Sequence, residues 1–235
     1  MNNYRLIADL HTHTVYSHGK SSPRDIVKSA VDAGLMTIAI SEHAGGNLFY
    51  GLSDDDFLKL YNEIEELREI YKINILMGVE LNMLGKGKTD IPKLKDKLDV
   101  RIMGYHKGVL VKNRFTLSAL FESFFHVKNT ALNTKEYCNV IMKNKIDIIS
   151  HPSLYISVDI EKLALFCAEN NILLEINNHH PCDPDMLKKA AMAGANFIIG
   201  SDAHIASDVG RFDSALNAVL KAGVEDRIVN LRIEG

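Results

Sequence analysis

The 235-residue sequence has few cysteines and no long apolar run. Its three cysteines, Cys138, Cys167 and Cys182, are widely spaced, and no C-x-x-C pair occurs. A disulfide framework or a thiolate zinc site is therefore not expected. No apolar run reaches the roughly 20 residues of a membrane span, and residues 1–5 lack the apolar core of a signal peptide. These absences predict a cytoplasmic protein that does not enter a membrane.

An excess of positive charge is also missing. The formal net charge is -3, so the chain has no basic field for gripping a long nucleic acid. A small nucleotide stays open as a ligand. Hydrophobic residues make up 46% of the chain, which allows a large buried core. The sequence carries no pattern that decides between a monomer and a homo-oligomer.

Short apolar runs alternate with helical patterns along the chain. The predicted strands are Tyr4–Leu10, Met36–Ser41, Asn74–Leu81, Val100–Tyr105, Ile146–Ser150, Ile172–Ile176 and Asn196–Gly200. The predicted helices are Pro23–Ala33 with Ser22 as N-cap, Ser53–Tyr71, two helices over Thr116–Lys145 that break near Asn133, Asp159–Glu169, Pro184–Ala193 and Asp208–Ala222.

This alternation predicts βαβ units and a parallel sheet. Seven strands favour an α/β fold of the distorted (β/α)7 barrel type, similar to a TIM barrel, in one domain over residues 1–235. An open doubly wound sheet would show the same pattern.

Histidines are the abundant feature, with ten in the chain. The first predicted strand runs into His11 and His13, which are two residues apart and so point the same way in an extended chain. His18 follows on the next loop. In parallel α/β folds the functional groups lie at the carboxyl ends of the strands. Further histidines and acids follow other strand ends: His43, Glu80, His106, His151, Asp202 and His204.

Only the sixth predicted strand ends without an obvious ligand, at Asn177 and Asn178. So many imidazoles in one pocket would leave unpaired buried donors and acceptors unless metal binds them. Nine nitrogen and oxygen ligands, taken three at a time, suit three divalent ions. Zinc is favoured, with manganese and iron also compatible. Asp9 and Glu42 are candidates for orienting the imidazoles or for capping turns.

Seven motifs together resemble the PHP (polymerase and histidinol phosphatase) superfamily, and within it the small YcdX-like phosphatases. They are Asp9-Leu10-His11-Thr12-His13-Thr14, Ser41-Glu42-His43, Gly78-Val79-Glu80, Gly104-Tyr105-His106, Ile149-Ser150-His151-Pro152, Leu174-Glu175-Ile176-Asn177-Asn178 and Gly200-Ser201-Asp202-Ala203-His204. The resemblance covers nearly the whole chain and implies a seven-stranded barrel with a trinuclear metal site.

The resemblance also implies a division of the ligands. His11, His13, Glu80 and Asp202 would bind the first metal; Glu80, His106 and His151 the second; His18, His43 and His204 the third. The sequence departs from the pattern near Asn178-His179-His180-Pro181, where an extra imidazole could touch the substrate.

The expected reaction is hydrolysis of a small phosphomonoester by a hydroxide held between the first two metals. Asp202, Glu80 and His204 are the predicted catalytic residues, and Asn177, Asn178, Lys107 and Arg211 the predicted substrate contacts. The alternatives are a nucleotidase or exonuclease acting on short oligonucleotide ends and a non-catalytic metal-binding PHP module. An amidohydrolase is disfavoured because His106 stands where that class needs a lysine.

Overall fold

The computed structural model describes residues 3–180 and 182–234, and a parallel sheet lies at its centre. The strands are β1 Asn3–Leu6, β2 Ala8–Asp9, β3 Thr37–His43, β4 Asn74–Gly85, β5 Lys88–Thr89, β6 Val100–Gly104, β7 Ile148–Ile149, β8 Leu173–Asn177, β9 Phe197–Gly200 and β10 Leu231–Glu234.

Seven of these strands pair in the order β2-β3-β4-β6-β7-β8-β9, and every pairing is parallel. A parallel bridge between Thr12 and Ala203 joins the two edges, so the sheet forms a nearly closed barrel. The predicted barrel is confirmed.

The helices cover the outside of the barrel, and most begin at a residue whose side chain accepts a backbone N–H. Ser22 forms a capping box with Asp25, and Ser53, Asp159 and Asp183 cap three further helices. No helix in residues 3–180 and 182–234 has the length and hydropathy of a membrane span. The helices are α1 Pro23–Asp32, α2 Asp54–Ile70, α3 Arg114–Phe125, α4 Thr130–Lys143, α5 Ile160–Glu169, α6 Pro184–Met192 and α7 Asp213–Ala222.

The predicted first strand, Tyr4–Leu10, is wrong as one strand because its partner changes at Ile7. Before that residue, β1 pairs antiparallel with β10, near the other end of the chain. The Ile7 N–H donates to Asn230 O, whereas Ile7 O accepts from the N–H of Met36. The chain therefore crosses from a two-stranded sheet into the barrel.

Two helix boundaries also differ from the predictions. The break in Thr116–Lys145 lies at residues 126–129, because His126 takes a left-handed conformation (φ 57°) and ends α3. Asn133 lies within α4 and is buried. Helix α7 begins at Asp213 rather than Asp208, since Gly210 has a positive φ of 71°. The Asn178 side chain accepts the N–H groups of Ser214 and Ala215 in the first turn of α7.

Strand alternation places the site above the barrel interior. Ala39 of β3, Val100 and Ile102 of β6, Ile148 of β7 and Ile198 of β9 form a small buried cluster, separate from the larger core. Residues two and four positions further along share the same face of each strand. On β3, β6 and β9 that face therefore leads from this cluster to His43, His106 and Asp202.

Candidate metal centre

Glu80 lies at the centre of a group of histidines and acids at the carboxyl ends of the strands. One oxygen, Oε2, lies 3.2 Å from His11 Nε2 and 3.2 Å from His43 Nδ1. The other, Oε1, lies 3.0 Å from His106 Nε2 and 3.2 Å from His151 Nε2. The two oxygens of one buried carboxylate therefore face two different groups of imidazoles.

Asp202 completes the first group from the opposite side of the barrel. Its Oδ1 lies 3.3 Å from His13 Nε2 and 3.7 Å from His11 Nε2. The backbone of Asp202 is left-handed, with φ 54°. The residue is buried, and Asn177 Nδ2 donates to its second oxygen, Oδ2, over 3.2 Å. The carboxylate is thus held with one oxygen toward the histidines.

A third group lies nearer to solvent. His18 Nε2 and His204 Nε2 are 2.6 Å apart, and the His18 ring lies 4.9 Å from the His43 ring. His13 stacks on His43 with ring centroids 4.5 Å apart. The structure therefore brings all nine residues predicted as metal ligands into one connected cluster.

The cluster fits divalent metal ions because several of its buried nitrogens have no hydrogen-bond partner. These atoms are His11 Nε2, both ring nitrogens of His13, and His43 Nδ1. An unsatisfied buried polar group costs about 1–3 kcal/mol. Three sets of possible ligand atoms, each within 4.8 Å of one another, are His13–His18–His43, His11–His13–Asp202 and His43–Glu80–His106. The donors are all nitrogen and oxygen, which suits zinc, manganese or iron.

The charges of the cluster shift its pKa values in both directions. Burial opposes ionisation of Glu80, but the nearby imidazoles hold the pKa of this carboxyl well below its usual range. Burial lowers the pKa of His18 to about 4 and the pKa of His43 well below its usual range. Burial also opposes protonation of His11 and His13, but nearby carboxylates outweigh it, so the pKa of His11 lies well above its usual value and that of His13 is about 9. Because neutral imidazoles and ionised carboxylates are the forms that bind metal, metal binding would displace protons from these two histidines.

The fold and this cluster agree with the comparisons to known proteins. The PHP domain model matches residues 9–179. The chain belongs to the PHP family. It is 32% identical to a "probable phosphatase" of a Thermoanaerobacter species, over 96% of this chain and 91% of that protein. It is 31% identical to a "probable phosphatase" of Caldanaerobacter subterraneus, over 96% of this chain and 87% of that protein.

A solved structure shares the fold. It is the histidinol phosphate phosphatase of Lactococcus lactis in complex with zinc, L-histidinol and phosphate. The TM-score is 0.60 at 22% identity, with 92% of this chain and 93% of that chain covered. The protein described here is a metal-dependent phosphatase of the PHP family.

Three residues that the sequence analysis did not assign surround the PHP cluster. Glu175 Oε1 lies 2.6 Å from His11 Nδ1, and Asn82 Oδ1 lies 2.9 Å from His106 Nδ1. The Tyr50 ring stacks on His18 at 4.4 Å. Glu175 and Asn82 could have been found from the alternation of side chains along a strand, which places residues i and i+2 on the same face. Asn82 shares a face with Glu80, and Glu175 shares one with Asn177. Nothing in the sequence pointed to Tyr50.

Of the two orienting candidates, Asp9 caps a turn. Its carboxylate accepts the backbone N–H groups of Ser201 and Gly210. Glu42 is fully buried and accepts from Thr14 and Ser17, with Oε2 lying 3.8 Å from His13 Nδ1.

The predicted substrate contacts are dispersed around the cluster. Asn177 donates to Glu175 and Asp202 while its Oδ1 accepts the N–H groups of His179 and His180, and Asn178 caps α7. Lys107 Nζ lies 5.2 Å from the Tyr155 ring centroid and 5.5 Å from that of Phe124. Arg211 pairs with Asp208 in an exposed ion pair. A role in substrate contact stays a prediction for all four.

A cavity of about 370 Å³ opens beside the cluster. It is lined by His151 and His180 on the cluster side and by Leu154, Cys182 and Met186 further out. His180 Nε2 lies 3.6 Å from Asp202 Oδ2. Of the three histidines outside the predicted ligand set, His180 alone has a ring nitrogen within 4 Å of a predicted ligand's carboxylate in the described chain; His179 is exposed, and His126 ends α3.

Proposed function

We propose that this PHP phosphatase hydrolyses a small phosphomonoester at three divalent metal ions. The observation that carries the proposal is the position of Glu80. One buried carboxylate faces two groups of imidazoles, and several nitrogens around it are buried without partners. That arrangement suits a residue that bridges two metals.

The proposed ligand division is the one that the PHP resemblance implies, and the cluster brings the members of each set close together. His11, His13, Glu80 and Asp202 would hold the first ion, and Glu80, His106 and His151 the second. His18, His43 and His204 would hold the third. His43 Nδ1 also lies 3.2 Å from Glu80 Oε2, so the third group adjoins the first two.

Such ions supply a hydroxide near neutral pH and neutralise charge on the phosphate oxygens. The chain's own residues provide orientation and proton handling. Asp202 turns Oδ1 to the first group and Oδ2 to Asn177 and His180, so Oδ2 can take a proton at the edge of the cavity. Glu80 and His204 complete the proposed catalytic set.

The substrate proposed is small because the space beside the cluster is small. A cavity of about 370 Å³ lies at the low end of the roughly 300–1,000 Å³ of ligand pockets. It fits the leaving group of a phosphorylated metabolite. The complex of the Lactococcus lactis enzyme with L-histidinol and phosphate supports a substrate of this size.

The test is phosphate release from a substrate panel by metal-free protein reloaded with zinc, manganese or iron. The panel contains sugar phosphates, histidinol phosphate, nucleotides and short oligonucleotides. We expect turnover of one or more small monoesters. Turnover confined to oligonucleotide ends would replace the proposal with an exonuclease. Stoichiometric metal without turnover of any compound would favour a non-catalytic module.

A further inference from the structure

We propose that Glu175 is a positioning residue that fixes which nitrogen of His11 faces the first metal and holds His151 toward the second. It lies in β8, the strand whose end offered no predicted ligand. This inference rests on the metal centre of the proposed function.

The geometry assigns each carboxylate oxygen a separate task. Oε1 lies 2.6 Å from His11 Nδ1, whereas Oε2 accepts the backbone N–H of His151 at 3.0 Å. Asn177 Nδ2 also donates to Oε2 at 3.0 Å. Glu175 is 2% exposed, so water does not compete for these contacts. One side chain therefore connects strand ends that lie on either side of it in the barrel.

The contact with His11 selects a tautomer. An ionised carboxylate only accepts hydrogen bonds, so Nδ1 must carry the proton. In the neutral imidazole that binds metal, Nε2 is then left with its lone pair, and this atom lies 3.2 Å from Glu80 Oε2 and has no hydrogen-bond partner. A histidine that binds metal through one nitrogen commonly donates the other N–H to a carboxylate.

The contact with His151 holds an unusual backbone. His151 has φ 26°, within the left-handed region that side-chain-bearing residues rarely adopt. The Glu175 carboxylate anchors its N–H in this conformation. The His151 ring is thereby directed to Glu80 Oε1, 3.2 Å away.

The neighbouring strand leaves room for this carboxylate. A Cβ atom at Gly200 of β9 would collide with Glu175 Oε1. A side chain at that position would push Glu175 away from His11. The absence of a side chain at Gly200 thus gives the Glu175 carboxylate the space it occupies.

The decisive variant is Glu175→Gln, because an amide has one acceptor oxygen and one donor group. The His151 N–H and Asn177 Nδ2 cannot reverse their roles, so the amide oxygen must turn to them. The amide NH₂ then faces His11 Nδ1 and forces the proton onto Nε2. We expect the first ion to bind about 10–100-fold more weakly, so that a chelator removes it first, while the other two ions remain.

Glu122→Gln is the matched control. The Glu122 carboxylate is also buried and accepts three N–H groups, from Ser157, Asn129 and Asn133, but in the described chain it has no hydrogen bond or ion pair with a histidine. The two variants carry the same substitution, and the two carboxylates form a similar number of hydrogen bonds. We expect Glu122→Gln to keep the wild-type number of zinc ions and the wild-type zinc affinity.

The measurement is zinc titration against a chelator, with elemental analysis and circular dichroism of wild type and both variants. Selective loss of one ion in folded Glu175→Gln supports the inference. Wild-type stoichiometry and affinity in that variant would overturn it. Failure of the proposed function is distinguishable, because it would appear as a wild-type protein without zinc or without turnover.

Should Glu175→Gln fail to fold, ¹⁵N NMR of the zinc-loaded wild type decides the question. The inference predicts that His11 carries its proton on Nδ1 and binds zinc through Nε2. The reverse assignment would contradict it without any variant.

Discussion

At the residue scale, the chemistry of the site depends on which nitrogen each histidine presents. His11 and His106 each have a side-chain oxygen on Nδ1, from Glu175 and Asn82, and each turns Nε2 to Glu80. The imidazoles are therefore oriented by contacts with residues on other strands of the barrel. The sequence predicts that histidines lie at these strand ends, but the orientation of each ring depends on these contacts.

His151→Ala tests the second group of ligands. The ring is buried and lies 3.2 Å from Glu80 Oε1. We expect most of the phosphatase activity to be lost, about 100-fold or more, with fewer bound ions and an unchanged circular dichroism spectrum. Steady-state phosphate release and elemental analysis provide the readouts. Full activity in this variant would exclude His151 from the centre.

Asn82→Leu tests the support of His106. Asp90 Oδ2 accepts from Asn82 Nδ2, so the amide is oriented with Oδ1 toward His106 Nδ1. Removing that acceptor should weaken zinc binding or activity about 10–100-fold. Exposed Asn74→Leu is the control, since Asn74 begins β4 at the opposite end from Glu80. Equal zinc affinity in the two variants would show that Asn82 does not position His106.

At the scale of elements, helix caps could be predicted and the break between α3 and α4 could not. Ser22 and Pro23 mark the start of α1 by local chemistry alone. At the break after Phe125, where His126 is left-handed, the Glu122 carboxylate joins α3 to the start of α4 and to the loop at Ser157. A long-range contact of this kind leaves no periodic signal in the sequence.

Because Glu122 titrates, its contribution to the stability of the junction between α3 and α4 depends on pH. Burial acts to raise the pKa of Glu122, but the hydrogen bonds from Ser157, Asn133 and Asn129 outweigh it and lower the pKa below its usual value. Its contribution to stability is therefore present above the unfolded pKa of about 4.3 and is lost as the pH falls through the folded pKa.

Denaturant unfolding of wild type and Glu122→Gln across this range measures the effect. At neutral pH we expect the variant to be less stable by about 1–3 kcal/mol. The difference should shrink as the pH falls below about 4. A difference that is independent of pH would mean that the charge on Glu122 does not contribute.

At the scale of the whole molecule, the barrel and the gathering of the nine proposed ligands were both predictable. Strand ends of a parallel barrel meet at one face, so residues spaced along the chain had to converge there. The change of partner at Ile7 was not predictable, because it depends on pairing with β10 near the other end of the chain. The role of Glu175 likewise requires the contacts among β8, β9 and the segment after β2.

Metal removal should lower the stability of the whole protein. The cluster contains buried nitrogens without partners, which ions would satisfy. Each ion present at 1,000 times its Kd adds about 4 kcal/mol to the free energy of unfolding. We expect a lower Tm after chelation and recovery on addition of zinc, measured by calorimetry. A Tm that is the same for chelated protein and for protein at saturating zinc would contradict metal binding to the folded protein.

The central claim is that nine residues from six strand ends hold three metal ions. Anomalous X-ray diffraction at the zinc edge from crystals of zinc-loaded protein tests it most directly. We predict three peaks: one at His11, His13, Glu80 and Asp202, one at Glu80, His106 and His151, and one at His18, His43 and His204. Fewer than three peaks within this cluster, or peaks at other residues, would contradict the claim.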